Sequence, residues 1–232
     1  MRNLVILLSL SLALALIACS ANPTPIPPQP TATVTASVAP ATTPATSASA
    51  SGSTITLVTV PGKNTARYRV REQLAGVALP SDAVGSTQDV VGTIVGKTDG
   101  SIVSSQSKFT VNLSTLKSDQ DQRDNFIKRG TLQTDRFPNA TFVPTQQTGL
   151  PSALPADGNV SFKLIGDLTI RDVTKSVTWD VQGKVIGDEA IGTAKTNFKF
   201  AYFNLAIPNV ARVLSIVDNI QLELDLDLKR AP

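Results

Sequence analysis

Histidine is missing from all 232 residues. Its absence removes Ser-His-Asp and Cys-His catalysis and every imidazole metal site. Cysteine occurs once, at Cys19, so no intrachain disulfide can form. There is no G-x-S-x-G elbow, no Gly-rich phosphate loop and no D-x-D-x-D-G calcium spacing. Charge is absent from a long early stretch: between Arg2 and Lys63 there is no Asp, Glu, Lys or Arg. The formal net charge of +3 falls to +2 without Arg2, and the basic residues are scattered rather than clustered. That distribution offers no nucleic-acid-binding face. The acidic residues fall in turn-like contexts (Asp82, Asp99, Asp157, Asp188) or alternate along the last apolar run (Glu223, Asp225, Asp227). Those read as solvated positions, which give a carboxylate pair no raised pKa. A carboxylate-only hydrolase is the one catalytic scheme left; the expectation is a non-enzymatic protein with no cofactor and no metal.

What is present begins at the N-terminus. Arg2 precedes Leu4 to Ala18, fifteen apolar and small residues that end in Leu16-Ile17-Ala18-Cys19. Fifteen residues are short for a bilayer span and suit the apolar core of an export signal. The ending resembles the bacterial lipoprotein box, in which the Cys is lipidated and becomes the mature N-terminus. On that reading residues 1–18 are a signal peptide and Cys19 is the lipid attachment site. The protein would then be exported and held on a membrane of the bacterial cell envelope, facing outside the cytoplasm. The alternative is an ordinary signal or anchor that happens to end in cysteine. Ser20 to Ser53 is rich in Pro, Thr, Ser and Ala, with seven of the fifteen prolines and no charge. Such a segment cannot offset its ordering entropy and is expected to be a disordered spacer over 19–53. Its reach is roughly 30 Å as a coil and about 100 Å as extended polyproline II.

Residues 54–232 are long enough for one domain with its own core. Their apolar residues alternate with period two. Ile220, Leu222, Leu224, Leu226 and Leu228 interleave with Gln221, Glu223, Asp225, Asp227 and Lys229. The pattern repeats in Val160, Phe162 and Leu164, in Val177, Trp179 and Val181, in Phe198, Phe200 and Tyr202, and in Phe109, Val111 and Leu113. It predicts strands with one buried face. Turn signals such as Thr98-Asp99-Gly100 and Asp157-Gly158-Asn159 lie too close together for helical crossovers, so neighbouring strands should run antiparallel. Ser118-Asp119-Gln120-Asp121 reads as the start of one helix of about twelve residues, stopped at Gly130. Strands with one apolar face close over it most economically as a barrel or flattened sandwich.

Three stretches then carry a resemblance. Leu113-Ser114-Thr115-Leu116, Arg123-Asp124-Asn125-Phe126 and Phe137-Pro138-Asn139-Ala140-Thr141-Phe142 resemble the central signature of the YceI-like family. Gly166-Asp167-Leu168-Thr169-Ile170-Arg171-Asp172-Val173-Thr174-Lys175 resembles its G-x-L-T-I-x-G-V-T-K hairpin, with Asp172 where Gly is usual. The match runs from about Phe109 to Leu228. Before it, the D-x-x-H-S opening of the family is missing and Ala75 to Gln88 reads as an insertion.

The resemblance implies an all-β, antiparallel, lipocalin-like barrel of about eight strands that binds polyisoprenoid, quinone or fatty-acid type lipids. Phe126, Phe137, Phe142, Phe162, Trp179, Phe198, Phe200 and Tyr202 are the candidate lining of an apolar ligand cavity. Taken one at a time, each reads first as a packing residue of plain core. Arg123 and Asp124 are expected to orient a head group or to tether a loop. The competing class is a non-enzymatic interaction module, a filled barrel whose loops, Ala75 to Gln88 and Gln146 to Asp157, bind a partner; the apolar segment Leu205 to Ala211 reads as a cavity lid, a membrane-facing tip or a buried turn. An internal void separates the two classes.

Overall fold

The computed structural model describes residues 53–150 and 154–232, so Cys19, the signal sequence and the spacer lie outside the described residues. The described residues belong to one compact unit. Its strands are β1 (Thr54–Thr59), β2 (Thr65–Leu74), β3 (Ser81–Thr87), β4 (Val90–Lys97), β5 (Lys108–Asn112), β6 (Lys117–Ser118), β7 (Asn139–Thr148), β8 (Asp157–Ile170), β9 (Val173–Ile186), β10 (Glu189–Phe198) and β11 (Val213–Arg230). A single short helix, α1 (Asp121–Phe126), lies between β6 and β7.

All pairings are antiparallel, and eight strands close into a ring in the order β1-β4-β5-β7-β8-β9-β10-β11 and back to β1. The expected barrel is therefore present. The alternating faces point as read: Ile220 and Leu224 are buried on β11, Leu164, Leu168 and Ile170 on β8, and Val177, Trp179 and Val185 on β9.

The remaining strands show how this barrel departs from a simple ring. β1 and β2 both run along β11, one after the other: Thr59 pairs with Leu228, and Thr65 with Asp225. Five residues, 60–64, thus stand opposite two, and the chain loops out. β3 and β4 are likewise one strand broken at Gln88-Asp89, and β5 and β6 one strand broken by a 3-10 turn at Leu113–Thr115. Three neighbouring strands break at the same height. On one side of the break the ring is closed; on the other, β2, β3 and β6 splay outward. α1 sits in the gap that this leaves before β7.

A buried amide holds the first break. Asn64 has 0% exposure. Its Nδ2 donates to Val60 O at 2.6 Å, and its Oδ1 accepts from the Asp227 backbone N–H at 2.9 Å. The side chain replaces a ladder partner that the loop has carried away, as buried backbone donors require. The same loop folds over Asp227, which is only 7% exposed and faces Lys63 at 3.3 Å. The solvated position expected for Asp227 is corrected by that cover.

Two further expectations change. Ala75 to Gln88 is not a plain loop: residues 81–87 are β3, hydrogen-bonded to β2 from Ala66↔Thr87 to Glu72↔Ser81. The helix has six α residues rather than about twelve, and Gly130 does not stop it. It runs into a π turn, Ile127–Leu132, and ends at Gln133 in the left-handed region (φ 52°). Ser118 does not cap it directly; Asp124 Oδ1 instead reaches back to accept from Ser118 N–H at 2.9 Å and Oγ at 2.7 Å.

Replacing Asn64 by Ala should cost about 2 kcal/mol, because the buried Asp227 N–H loses its partner and Val60 O keeps only the longer bond from Lys63 N–H, 3.3 Å. For a domain of this size that is a fall of roughly 4–8 °C in Tm. Asn64→Asp keeps the acceptor for Asp227 and should differ from Asn64→Ala in the same scan. A Tm unchanged in Asn64→Ala would show that the amide is not a clamp.

Candidate functional site

The barrel interior is not filled. A cavity of about 410 Å³ occupies the splayed half and one of about 160 Å³ the closed half. The larger volume falls within the usual range for small-molecule sites, and both linings are predominantly apolar. Four side chains border both spaces: Phe109, Phe142, Trp179 and Leu224. They form a septum across the barrel at mid-height. Phe142 meets Trp179 edge to face, with ring centroids 5.8 Å apart, a favoured aromatic geometry.

Two glycines let the septum rings lie down. Gly92 is paired with Phe109, and a Cβ there would stand 2.1 Å from the Phe109 ring. At Gly166 a Cβ would meet Val143 O at 2.4 Å and the Phe142 ring at 2.7 Å. The bare backbone of each strand is the surface on which the neighbouring ring rests. Trp179 is 2% exposed, and its Nε1 has no hydrogen-bond partner.

Of the eight aromatic candidates, Phe126, Phe142, Trp179, Phe198 and Phe200 line the larger cavity. Phe162 lines the smaller, with Phe142 and Trp179. Phe126 sits at the mouth, 39% exposed. Phe137 and Tyr202 line neither space. Phe137 precedes Pro138 in the loop before β7 and lies beneath the Arg136 guanidinium, 5.0 Å from its centroid. Tyr202 is turned out because β10 ends at Phe198 and the chain enters a 3-10 turn, Phe200–Phe203. Period-two alternation stops there, and Tyr202 Oη donates to Ser176 O at 2.8 Å across the outside. Phe203, the residue after it, is the one that turns fully inward, at 0% exposure.

The connection after that turn closes over the large cavity: Leu205 is buried in its wall, and Pro208 and Val210 line its mouth. The wall beside it is made by β2 and α1. There Glu72 and Arg123 form an ion pair at 2.7 Å, with Glu72 7% exposed, and Arg123 also holds Asp119. Burial acts to lower the Arg123 pKa, but these two carboxylates outweigh it and hold it above its usual value. Arg123 thereby ties α1 to the barrel wall. It does not pair with Asp124, whose carboxylate serves Ser118.

Tyr68, also on the large cavity, has its phenol pushed up to about 12, chiefly by burial, with Asp124 and Glu72 adding to the effect and Arg123 opposing it. Phe109 and Tyr68 were not among the expected lining residues. Phe109 was legible, since it shares the alternation of Val111 and Leu113. The Glu72–Arg123 pair spans 51 residues and leaves no local signal.

A YceI-like domain model matches residues 48–228. Among solved structures, the chain is similar to a polyisoprenoid binding domain from Saccharophagus degradans implicated in plant cell wall breakdown. The two share 11% identity at a TM-score of 0.59, over 75% of this chain and 98% of that one. It is also similar to BcnA of Burkholderia cenocepacia (15%, TM-score 0.54, 73% and 98%) and to the YceI protein of Campylobacter jejuni (16%, 0.52, 69% and 91%). No curated protein matches significantly.

Raising the Tyr68 pKa favours the neutral phenol in the fold. Its contribution to stability is therefore present below the unfolded pKa of roughly 10 and lost as pH rises through about 12. Only two tyrosines exist, so a Tyr202→Phe variant leaves Tyr68 as the sole phenol. Its ultraviolet titration should centre near 12 in the native protein and near 10 in denaturant. A native midpoint near 10 would place Tyr68 in water.

Proposed function

The chain belongs to the YceI-like family, and we propose that its barrel carries a long apolar ligand of the polyisoprenoid, quinone or fatty-acid type. The observation that carries this is the void: a ring of eight strands can fill itself with side chains, and this one leaves about 410 Å³ on its splayed side. That space favours a carrier over an inert scaffold with working loops. A hydrocarbon tail contributes roughly 0.8 kcal/mol per buried CH₂, so ten methylenes outweigh the cost of immobilising the tail. The Saccharophagus neighbour, described as a polyisoprenoid binding domain, supports the same class of ligand.

The proposal extends to location. The sequence at Leu16 to Cys19 supports lipidation of Cys19 after export, with the Pro-rich segment as a spacer between membrane and barrel. Its role would be to hold or ferry lipid close to the surface to which it is anchored. With no histidine in the chain and an apolar cavity, binding rather than turnover is the activity offered.

Native mass spectrometry of residues 49–232, purified without detergent, should show an added mass that solvent extraction removes, or uptake of an added prenol, quinone or fatty acid. Ala140 lines the large cavity, and Ala140→Trp should fill part of it. We expect that variant to keep its circular dichroism spectrum and bind at least tenfold more weakly, since about 1.4 kcal/mol of lost tail burial suffices. An apo mass that persists with every lipid added would sink the carrier reading.

A further inference from the structure

Eleven large apolar side chains are exposed among the described residues. Seven of them lie on three segments that meet at the mouth of the larger cavity. Val77, Phe126 and Val210 line the mouth themselves. Leu79 is two residues beyond Val77. Ile207, Leu214 and Val217 each adjoin a lining residue, namely Pro208, Val213 and Ile216. The segments are fastened together: Ala75 N–H donates to Arg212 O at 2.9 Å, and Val213 pairs with Leu74. Leu79 is 74% exposed and Leu214 68%. A rim with so much apolar surface around an open cavity marks an interaction site.

Charge at this end points to the partner. Arg212 lines the mouth; Lys128 and Arg129 follow Phe126 in the chain; Lys175 lies 5.8 Å from the Tyr202 ring; and Lys199 precedes the 3-10 turn. None of the five has a carboxylate within ion-pair distance among the described residues. The acids on these elements are mostly engaged. Asp82 is held by Arg69 and Arg71, Asp119 by Arg123, Asp121 by Lys117 and Asp172 by Arg171, while Asp218 accepts from Phe200 N–H. Uncompensated cations among exposed aliphatic side chains match a surface with anionic head groups above an apolar layer.

We propose that this rim docks the barrel, mouth first, on an anionic phospholipid bilayer. Phe126 and the tips at Val77-Leu79 and Ile207-Val210 enter the interface, and Arg212 and its neighbours meet the lipid phosphates. The larger cavity then opens toward the bilayer, and an apolar ligand can pass without crossing water. That last step rests on the carrier reading; the docking itself does not.

Vesicle flotation of residues 49–232, free of any lipid anchor, tests the proposal with phosphatidylcholine vesicles with and without phosphatidylglycerol. Binding should require phosphatidylglycerol. Leu79→Asp with Leu214→Asp should reduce it at least tenfold, from the loss of two aliphatic contacts. Arg212→Gln should reduce it about fivefold. Ile186→Asp and Ile191→Asp, exposed at the other end of the barrel, should leave it unchanged. Ala140→Trp should dock as the parent does even where it no longer binds lipid ligand, so failure of the carrier reading is seen separately. The proposal is overturned if the rim variants float like the parent, or if the Ile191 variant is weakened as much. It is also overturned if the parent ignores vesicles and instead forms a dimer that the rim variants dissolve.

Discussion

A strand that breaks inside a closed sheet leaves backbone groups unpaired, and the architecture here depends on how one such break is satisfied. At residues 60–64 the chain loops away from β11, and the Asn64 amide takes the place of the missing ladder partner with both of its ends. The break lets β1 stay in the ring while β2 follows β3 and β6 outward. The ring keeps one radius on the closed side and gains another on the splayed side. From that difference come the larger cavity, the gap that α1 occupies, and the need for the Glu72–Arg123 tie that holds the helix against its wall.

The two cavities are unequal for the same reason, and the septum between them is what the scarce aromatics are used for. Phe109, Phe142 and Trp179 meet Leu224 where the barrel changes width. Gly92 and Gly166 let two of the rings lie across neighbouring strands. A slender ligand seated in the larger space would reach the septum with its far end. The splayed half is also the half with the apolar rim, so opening, volume and exposed apolar surface share one end. β1 begins at the other end, where Thr54 pairs with Lys97.

The alternating runs around Leu164, Trp179 and Leu224 revealed strands, faces and antiparallel order because period two is a local property of a half-buried strand. The eight-membered ring was legible to that extent, and the aromatics of the alternating runs, Phe142, Phe162, Trp179 and Phe198, face the interior spaces for the same reason. The misreadings were local as well. Tyr202 continued an alternation that the 3-10 turn had already ended. Residues 81–87, with Ser, Asp, Gly and Thr among them, looked like an inserted loop although they form β3. Asp227 looked solvated because nothing in its own strand announces that Lys63 and Asn64 fold over it. The Asn64 clamp, the Glu72–Arg123 tie and the common height of the three breaks join residues far apart in sequence, and no window along the chain displays them.

The seam between β1 and β11 joins the two extremes of the domain: Leu57 pairs with Arg230 and Thr59 with Leu228. Such contacts carry the greatest loop-closure entropy in the chain and place the domain among slow, high-contact-order folders. The β8–β9 hairpin, paired from Ile170↔Val173 to Asp157↔Ile186, needs no distant residue and can form early. The ring cannot. Until the last half-dozen residues have found the first, the sheet is open, its edges are unpaired and the interior is not yet a compartment. The smaller cavity, which Ile55 and Leu57 line, is therefore enclosed only when the two ends of the domain have met, whereas no β1 residue lines the larger one.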